Sequence, residues 1–381
     1  MTQDRVLDDY QIYCEDGKIV AVFSDNEIIS ADSVVDAHGR YILPGFIDLH
    51  MHGAHGFSAQ DSKESLEALL SVMPSHGVTG VLAGVCPHES DEAEIERLEA
   101  FSRIESQGTN LLGLFLEGHF LTLFGAIAYI PEDRSAQRVR SLKEAAKPLK
   151  IAFAISPELD GITQMLPEMV KDAYPAFITH TGATHEQTQA AIDAGATHAT
   201  HFYNVFPDNG EKEPGVRACG TVEAIYANKN VTVDFIMDGE HVEPIAIKMA
   251  LACKDKDNVC IVSDSNVHAG LMPGTYTGVG GREMKVAYEG GPARIIGGEL
   301  DGALSGSGLT LELALKNAIE MLGVDIVKAA AMVSFNPAKV LGLQKRKGRI
   351  SEGYDADMVM LDENLAVDMC WVGGDAKYER E

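Results

Sequence analysis

The chain has 381 residues, of which 45% are hydrophobic and 23% are charged, and it contains 37 glycines. This composition predicts a globular α/β protein with a substantial core, in one large domain or two smaller ones, and it excludes a disordered chain. The formal net charge of −26 argues against a nucleic acid or an anionic membrane as partner, because both bind basic surfaces.

The sequence also indicates the compartment. No apolar run reaches the roughly 18 residues of a membrane span, and the N-terminal residues carry no signal-peptide pattern. The six cysteines are scattered without a Cys-x-x-Cys pair, which is typical of reduced thiols rather than of a disulfide framework or a zinc knuckle. We therefore expect a cytoplasmic protein with no membrane partner.

Both ends of the chain have the pattern of short strands. Within residues 1–44, Asp16-Gly17 lies between two apolar runs and predicts a hairpin, because this pair readily adopts a type I′ turn. Residues 345–381 have the same character, and their first three residues, all basic, predict a solvated turn. Neither end buries much surface alone, so we expect them to form one small β-sandwich domain together, beside a central domain at 45–344.

In the central region, short apolar strands alternate with polar loops and helical stretches. Eight strands are predicted, at 46–52, 80–85, 111–117, 150–156, 176–181, 198–203, 231–237 and 259–264. Examples of predicted helices are 63–76, 91–106, 184–194, 310–322 and 324–333. Eight β/α units favour a (β/α)8 TIM barrel over an open doubly wound sheet, and no G-x-G-x-x-G follows the first strand, which weakens the dinucleotide-binding alternative.

Two histidines, His50 and His52, end the first predicted strand. Side chains alternate along a strand, so these two imidazoles point to the same side. The apolar run before them and the glycines around them favour half of a metal site over two histidines in an ordinary turn.

Later strands end in matching residue types. The active site of a (β/α)8 barrel lies at the carboxyl ends of its strands. Those ends carry histidines or carboxylates at His50, His52, Glu117, His180, His201, Asp238, His241 and Asp264. This recurrence indicates a metal centre more strongly than any single motif does.

The other histidines are predicted to have other roles. A surface position is expected for His38, His76, His88, His185 and His268. His198 opens the sixth strand, at the opposite end of the barrel, and is predicted to be structural. His119 lies two residues beyond Glu117, within reach of the same mouth, so its role stays open.

Taken together, these patterns resemble the amidohydrolase superfamily, and within it the deacetylases of amino-sugar 6-phosphates. The resemblance covers nearly the whole chain. Its matching segments are 44–53, 116–118, 180–184, 194–204, 212–215, 238–242, 262–264 and 334–338.

The resemblance implies a ligand set and a catalytic residue. It implies that Glu117, His180 and His201 hold the principal divalent metal. His50 and His52 would supply a second metal position, giving one or two ions per subunit. Imidazole and carboxylate ligands suit zinc and iron almost equally. Asp264 would be the general base and acid.

The resemblance also implies how a sugar phosphate is bound. His241, Asn204 and Val205 would contact this substrate. Lys212 stands where the family commonly has an arginine, in a loop that reaches the phosphate of a neighbouring subunit, so a homodimer is expected. The implied reaction is hydrolysis of the N-acetyl group of N-acetylglucosamine 6-phosphate, giving glucosamine 6-phosphate and acetate.

Two departures from the family pattern leave the sugar open. His119 stands where the family usually has proline, and Ile127 stands where many relatives carry a histidine or glutamine that reaches the substrate. Isoleucine cannot donate a hydrogen bond, and one lost polar contact can strongly alter substrate preference. The galactosamine epimer or another N-acyl amino sugar is therefore an alternative substrate.

Two more distant functions agree less well with the sequence. A cyclic amidase of the same superfamily usually bridges two metals with a carboxylated lysine at the end of the fourth strand, which here ends Ile155-Ser156-Pro157-Glu158 without a lysine. A non-catalytic binding protein on the same barrel would not need Asp264 together with a complete ligand set.

Overall fold

The computed structural model describes residues 5–24, 30–278 and 281–381. The strands, in chain order, are β1 Tyr10–Glu15, β2 Lys18–Ser24, β3 Tyr41–Pro44, β4 Phe46–Met51, β5 Gly53–Ala54, β6 Phe57–Ser58, β7 Val78–Val85, β8 Asn110–Phe120, β9 Ile151–Ile155, β10 Ala176–Ile178, β11 Ala196–Ala199, β12 Glu211–Glu213, β13 Val216–Arg217, β14 Thr232–Ile236, β15 Val259–Val262, β16 Gly274–Thr277, β17 Glu283–Val286, β18 Ala293–Ile295, β19 Met358–Leu361, β20 Val367–Val372 and β21 Asp375–Glu379.

The helices connect and cover these strands. They are α1 Lys63–Val72, α2 Asp91–Phe101, α3 Ala136–Ala146, α4 Ile162–Val170, α5 His185–Asp193, α6 Thr221–Ala227, α7 Pro244–Cys253, α8 Leu311–Asn317, α9 Ile326–Val333 and α10 Phe335–Val340. A 3₁₀ turn at Met73–His76 follows α1, and a π-helical turn at Ala318–Leu322 follows α8. In the described part of the chain, every helix is too short or too polar to cross a bilayer.

Eight parallel strands form a barrel. Their spatial order is β4, β7, β8, β9, β10, β11, β14 and β15, and helices α1 to α7 lie between successive strands in the chain. The strands are almost fully buried because both faces of a barrel sheet are covered, which explains their continuous apolar runs. The predicted (β/α)8 TIM barrel is confirmed.

Hydrogen bonds join the two edge strands of this sheet. The N–H of Asp264, just beyond β15, donates to the carbonyl of His50 in β4 at 2.9 Å. The buried Asp48 carboxylate adds a second link, because its Oδ1 accepts from the N–H groups of His50 and Ser263, each at 3.2 Å. Burial raises the pKa of Asp48 to about 6. The first and last barrel strands are thereby tied directly beside the predicted site.

Four strands have carboxyl ends that differ from their predicted positions by two residues or more, and one of them is β15, which ends at Val262, before Asp264. β8 continues to Phe120, so Glu117 lies within the strand, where the pairing with β9 shifts register. β10 and β11 end earlier than predicted, before His180 and His201, which have φ of +48° and +32°. An extended strand cannot accommodate positive φ, so each histidine lies in the turn that follows its strand.

The two chain ends contribute to one small β unit. β3 joins β19, β20 and β21 in a four-stranded antiparallel sheet. Val359 and Leu361, on one face of β19, join the barrel core, whereas Met358 on the other face packs with Ile19 of the β1–β2 hairpin and with Ile350. The predicted β-sandwich from both ends agrees with this arrangement. The boundaries at 44 and 345 stay predictions.

A three-stranded antiparallel sheet, β16 to β18, lies between β15 and α8. No element was predicted for this stretch. Hydrogen bonds attach the sheet to two loops at the barrel mouth: Arg282 Nη1 donates to the carbonyl of Ala126 at 2.9 Å, and Arg294 Nη2 donates to Glu240 Oε2 at 2.7 Å. The Tyr288 hydroxyl also donates to Glu240. We refer to β16–β18 as the mouth sheet.

The basic turn at 345–347 is only partly solvated, contrary to prediction. Lys347 is 4% exposed, and its Nζ lies 2.5 Å from Asp357 Oδ2 and 3.0 Å from Asp355 Oδ2. Burial raises the pKa of Asp355, but the hydrogen bond from Lys18 and the charge of Lys347 hold it at about 2. This carboxylate's stabilisation is therefore present above pH ~4 and is lost as the pH falls toward 2.

We expect Lys347→Met to lower the free energy of unfolding by about 3–5 kcal/mol, because the buried Asp357 carboxylate loses its cation, whereas Asp355 keeps Lys18 and Arg346. Lys345→Met is the matched control, since Lys345 is exposed in the same turn and its loss should change stability by no more than about 0.5 kcal/mol. Urea denaturation of both variants measures the difference. Equal effects would show that the buried ion pairs do not stabilise this region.

Candidate active site

Six predicted site residues meet at the carboxyl end of the barrel. They come from strands or turns that are distant in the chain and adjacent in the sheet. They are His50 and His52 from β4 and its end, Glu117 from β8, His180 after β10, His201 after β11 and Asp264 after β15. All six are buried.

Glu117 lies at the centre of this cluster. Its Oε1 is 3.1 Å from His201 Nε2 and 3.5 Å from His180 Nε2. Its Oε2 is 3.0 Å from His52 Nε2 and 3.5 Å from His50 Nε2. The Nε2 atoms of His50 and His52 are 2.9 Å apart. Four imidazoles thus surround one carboxylate.

This packing changes the pKa values of the cluster. Burial alone would raise the pKa of Glu117, but the surrounding imidazoles, His50 first, hold it well below its usual range. Burial lowers the pKa of His201, yet the hydrogen bond and charge of Glu117 raise it to about 9. The pKa of His180 is lowered, chiefly by burial. Glu117 therefore stays ionised at neutral pH.

Asp264 completes the cluster from the last strand. Its Oδ1 lies 3.6 Å from His50 Nε2 and 3.7 Å from His52 Nε2, and the residue is 9% exposed. Like His180 and His201, it has positive φ, here +45°. Such non-glycine conformations cost on the order of 1–3 kcal/mol each and occur where the surrounding structure enforces them.

A buried network beneath the cluster holds His201 in this conformation and also orients His50. Asp234 Oδ1 accepts from the N–H of His201 at 2.5 Å and from Thr200 Oγ1 at 3.1 Å, and Asp234 Oδ2 lies 2.7 Å from His198 Nε2. Because Thr200 donates to Asp234, it accepts from His50 Nδ1, at 3.3 Å. Asp234 therefore orients both His201 and His50, and His198 is fully buried beside it.

A second carboxylate, Glu158, holds the turn after His180. Its Oε1 accepts from the Thr122 hydroxyl at 2.5 Å and from the Gly182 N–H at 3.0 Å, and its Oε2 accepts from the Thr181 hydroxyl at 2.5 Å. In the sequence, Glu158 was notable only because the fourth strand ends there without the carboxylated lysine of cyclic amidases. Its position just after the fourth strand was the signal for a role at the barrel mouth.

The donor set fits a divalent metal. His180 Nδ1 donates to the Leu123 carbonyl at 3.1 Å, so in the neutral ring Nε2 carries a lone pair that faces Glu117 Oε1. His50 Nδ1 donates to Thr200, so its Nε2 likewise presents a lone pair to the cluster. Lone pairs and carboxylate oxygens that face one another are suited to a shared cation.

Among the described residues, three overlapping groups of donors lie close enough to hold an ion. In each group, the ligand atoms are within 4.8 Å of one another. The groups are His50, His52 and Asp264; His50, Glu117 and His201; and His52, Cys86 and Glu117. Cys86 was not predicted as a site residue, although it directly follows β7, the second barrel strand.

The cluster opens into a cavity of about 730 Å³. Of the predicted substrate-binding residues, His241, Asn204 and Val205 line it. His241 Nδ1 lies 2.6 Å from Asp238 Oδ2, a contact that fixes the ring. Burial raises the pKa of Asp238, but the hydrogen bond and charge of His241 bring it below its usual value.

Lys212, the remaining predicted substrate-binding residue, is not among the described residues that line the cavity. It lies exposed in the β12–β13 hairpin, between Glu211 and Glu213. Within one subunit, the structure does not bring Lys212 to the other predicted site residues.

Two other histidines differ from expectation, and the structure places a third, His119, whose role was left open. His268 is 1% exposed, so its predicted surface position is wrong. His76, also predicted at the surface, is largely buried, and its Nδ1 contacts Glu312 Oε1 at 2.8 Å. His119 is fully buried with its Nε2 3.3 Å from Glu94 Oε1, and it does not line the cavity. The partners of His76 and His119 are Glu312 and Glu94, which belong to other elements, where local patterns cannot indicate them.

This (β/α)8 barrel gathers imidazoles and carboxylates at the carboxyl ends of its strands. That combination defines a class of metal-dependent barrel hydrolases. The sequence profile of the amidohydrolase family matches residues 41–377. The chain belongs to the amidohydrolase family and is a hydrolytic, metal-dependent enzyme.

Individual relatives match over almost the whole chain. The chain is 29% identical over 380 residues to N-acetylgalactosamine-6-phosphate deacetylase of Escherichia coli O157:H7, covering 98% of this chain and 96% of that protein. It is 29% identical to N-acetylglucosamine-6-phosphate deacetylase of Bacillus subtilis (strain 168), with 96% and 92% covered. The crystal structure of N-acetyl-D-glucosamine-6-phosphate deacetylase from Mycobacterium smegmatis superimposes with a TM-score of 0.84 at 26% identity, covering 99% and 97%.

We expect Asp234→Ala to weaken metal binding by about 10- to 100-fold, because His201 and His50 lose the group that orients them. The dissociation constant of Zn²⁺, measured by chelator competition, reports this loss without reference to turnover. Val233→Ala is the matched control, since Val233 is fully buried in the same strand and, because side chains alternate along a strand, points to the opposite face from Asp234. Equal loss of metal affinity in both variants would show that Asp234 contributes only to the stability of the fold.

Proposed function

We propose that this enzyme hydrolyses the N-acetyl group of N-acetylglucosamine 6-phosphate, producing glucosamine 6-phosphate and acetate. The observation that carries this proposal is the convergence of His50, His52, Glu117, His180, His201 and Asp264 at the floor of one cavity. The deacetylase relatives support the substrate class.

The cluster divides into two cation positions. Glu117, His180 and His201 hold the principal divalent ion, and His50 with His52 supplies a second position, so that one or two ions of zinc or iron are bound per subunit. A divalent ion supplies the chemistry that an amide needs, because it polarises the carbonyl and makes water easier to deprotonate.

Asp264 moves the proton. Its carboxylate lines the cavity beside His50 and His52, within reach of the reacting atoms. As general base it accepts a proton from the attacking water, and as general acid it returns that proton to the departing amine. Asn204, Val205 and His241 contact the sugar, with the His241 ring fixed by Asp238.

The galactosamine epimer is a second candidate substrate. Ile127 lines the cavity at a position where many relatives carry a polar side chain, so the sugar hydroxyl that this side chain would contact is less constrained. The relative that acts on N-acetylgalactosamine 6-phosphate is as similar in sequence as the glucosamine-specific one.

We infer that the phosphate is contacted by a cation from outside the subunit. Among the described residues that line the cavity there is no lysine, and Arg97 is already bonded to Glu94 Oε2 at 2.7 Å and to the Cys86 carbonyl at 2.6 Å. We infer a cytoplasmic homodimer in which the exposed hairpin carrying Lys212 reaches the neighbouring cavity. Its lysine provides a point charge rather than the bidentate contact of an arginine.

A substrate panel tests the proposed reaction. Purified enzyme should release acetate from N-acetylglucosamine 6-phosphate or its galactosamine epimer in preference to the unphosphorylated sugars and to cyclic amides. Preference for a cyclic amide would contradict the proposal, and a comparison of kcat/KM for the two epimers selects between the two sugar candidates.

We expect Asp264→Asn to reduce kcat by several orders of magnitude while metal content stays close to that of the wild type, because an amide cannot accept the proton of water. Steady-state kinetics and metal analysis of the same preparation measure both effects. A variant that keeps more than about a tenth of the wild-type kcat would contradict the role of Asp264.

We expect Lys212→Ala to raise KM for the 6-phosphate substrate with little effect on the unphosphorylated sugar. Lys377→Ala is the control, because Lys377 is an exposed lysine in β21 of the small β unit. Mixing Lys212→Ala subunits with Asp264→Asn subunits should restore part of the phosphate-dependent activity. Equal effects on both substrates would exclude a phosphate contact, and no recovery on mixing would exclude a contact between subunits.

A further inference from the structure

We propose that Cys86 is a further ligand of the metal centre, and that its Sγ completes a position formed with His52 and Glu117. The inference rests on the proposed metal-dependent function, to which it adds a residue and a preference among metals. It concerns a thiol that the proposed reaction does not otherwise use.

The position of Cys86 in the barrel is that of a ligand. Cys86 directly follows β7, so it lies at the same carboxyl end of the strands as His52 and Glu117. The Sγ atom and the ligand atoms of those two residues lie within 4.8 Å of one another. Cys86 also lines the cavity.

Two neighbours hold the Cys86 backbone in place. Its N–H donates to Gln60 Oε1 at 2.7 Å, and its carbonyl accepts from Arg97 Nη2 at 2.6 Å. Arg97 is itself anchored by Glu94 Oε2 at 2.7 Å. With the backbone fixed, only rotation about χ1 remains to place the Sγ atom, so little conformational freedom is lost when a metal binds.

Gln60 gives an independent sign of a ligand at this position. It is 3% exposed and lines the cavity, and its Nε2 has no hydrogen-bond partner in the described part of the chain. Its carbonyl end is already bonded to Cys86. A buried amide donor without a partner beside a cysteine is suited to a thiolate sulfur, which accepts such bonds in metal sites.

Coordination by Cys86 changes the chemistry of this position. The S–H bond breaks when the sulfur–metal bond forms, and the proton leaves to solvent, so no redox step is involved. Thiolate is a soft ligand that favours zinc over harder cations. We therefore assign zinc to the position at His52, Cys86 and Glu117.

The experiment uses Co²⁺ as a spectroscopic probe on metal-free full-length protein. A thiolate ligand adds an intense sulfur-to-cobalt charge-transfer band in the near ultraviolet, which nitrogen and oxygen ligands do not produce. We expect this band in the wild type and in Cys219→Ser, a control at an exposed cysteine, and its loss in Cys86→Ser. Zn²⁺ should also protect Cys86 from alkylation in the wild type, as read by mass spectrometry.

The outcomes separate the two proposals. Bound Co²⁺ without the near-ultraviolet band, or alkylation of Cys86 at the same rate with and without Zn²⁺, would overturn the role of Cys86 and leave metal-dependent hydrolysis intact. Turnover by protein that binds no metal would overturn the proposed function itself, and the Cys86 assignment with it. The alkylation measurement uses only wild-type protein, so it decides the question even if Cys86→Ser fails to fold.

Discussion

Four imidazole rings surround the buried carboxylate of Glu117, and the rest of the structure depends on bringing them there. A buried charge is tolerated only with close partners, and these partners come from β4, β10 and β11, so the cluster forms only when the barrel closes. The shift of register in β8 directs Glu117 inward. Gly118, with φ of +102°, permits this shift, and a Cβ there would lie 2.6 Å from Pro87.

Further carboxylates support this arrangement from below and from the sides. Asp234 accepts from His201, Thr200 and His198, and Asp48 joins the first and last strands. Their oxygens are placed where backbone N–H groups and hydroxyls converge, which compensates part of the cost of burying their charge. The positive φ of His201 is maintained by its bond to Asp234, so this part of the site and the barrel interior form one hydrogen-bonded unit.

Sequence patterns predicted the barrel and the residues at most of its strand ends, because buried strands are continuous apolar runs and ligands follow them directly. They did not predict Glu158, since its partners lie at Thr122 and Gly182, or the burial of Lys347, since its partner Asp357 lies in another element. The mouth sheet was missed because its strands span only three or four residues, although β17 alternates between exposed and buried side chains. For Glu158, the deciding contact joins segments 36 residues apart, and local periodicity does not report it.

The carboxylates that flank the cluster have a consequence for how the protein binds its metal. Asp234, Glu158 and Asp48 hold the segments that carry the ligands through hydrogen bonds within the protein. The site therefore differs from small zinc modules, in which the ion creates the fold. An ion that enters through the cavity meets ligands whose backbone is already in place.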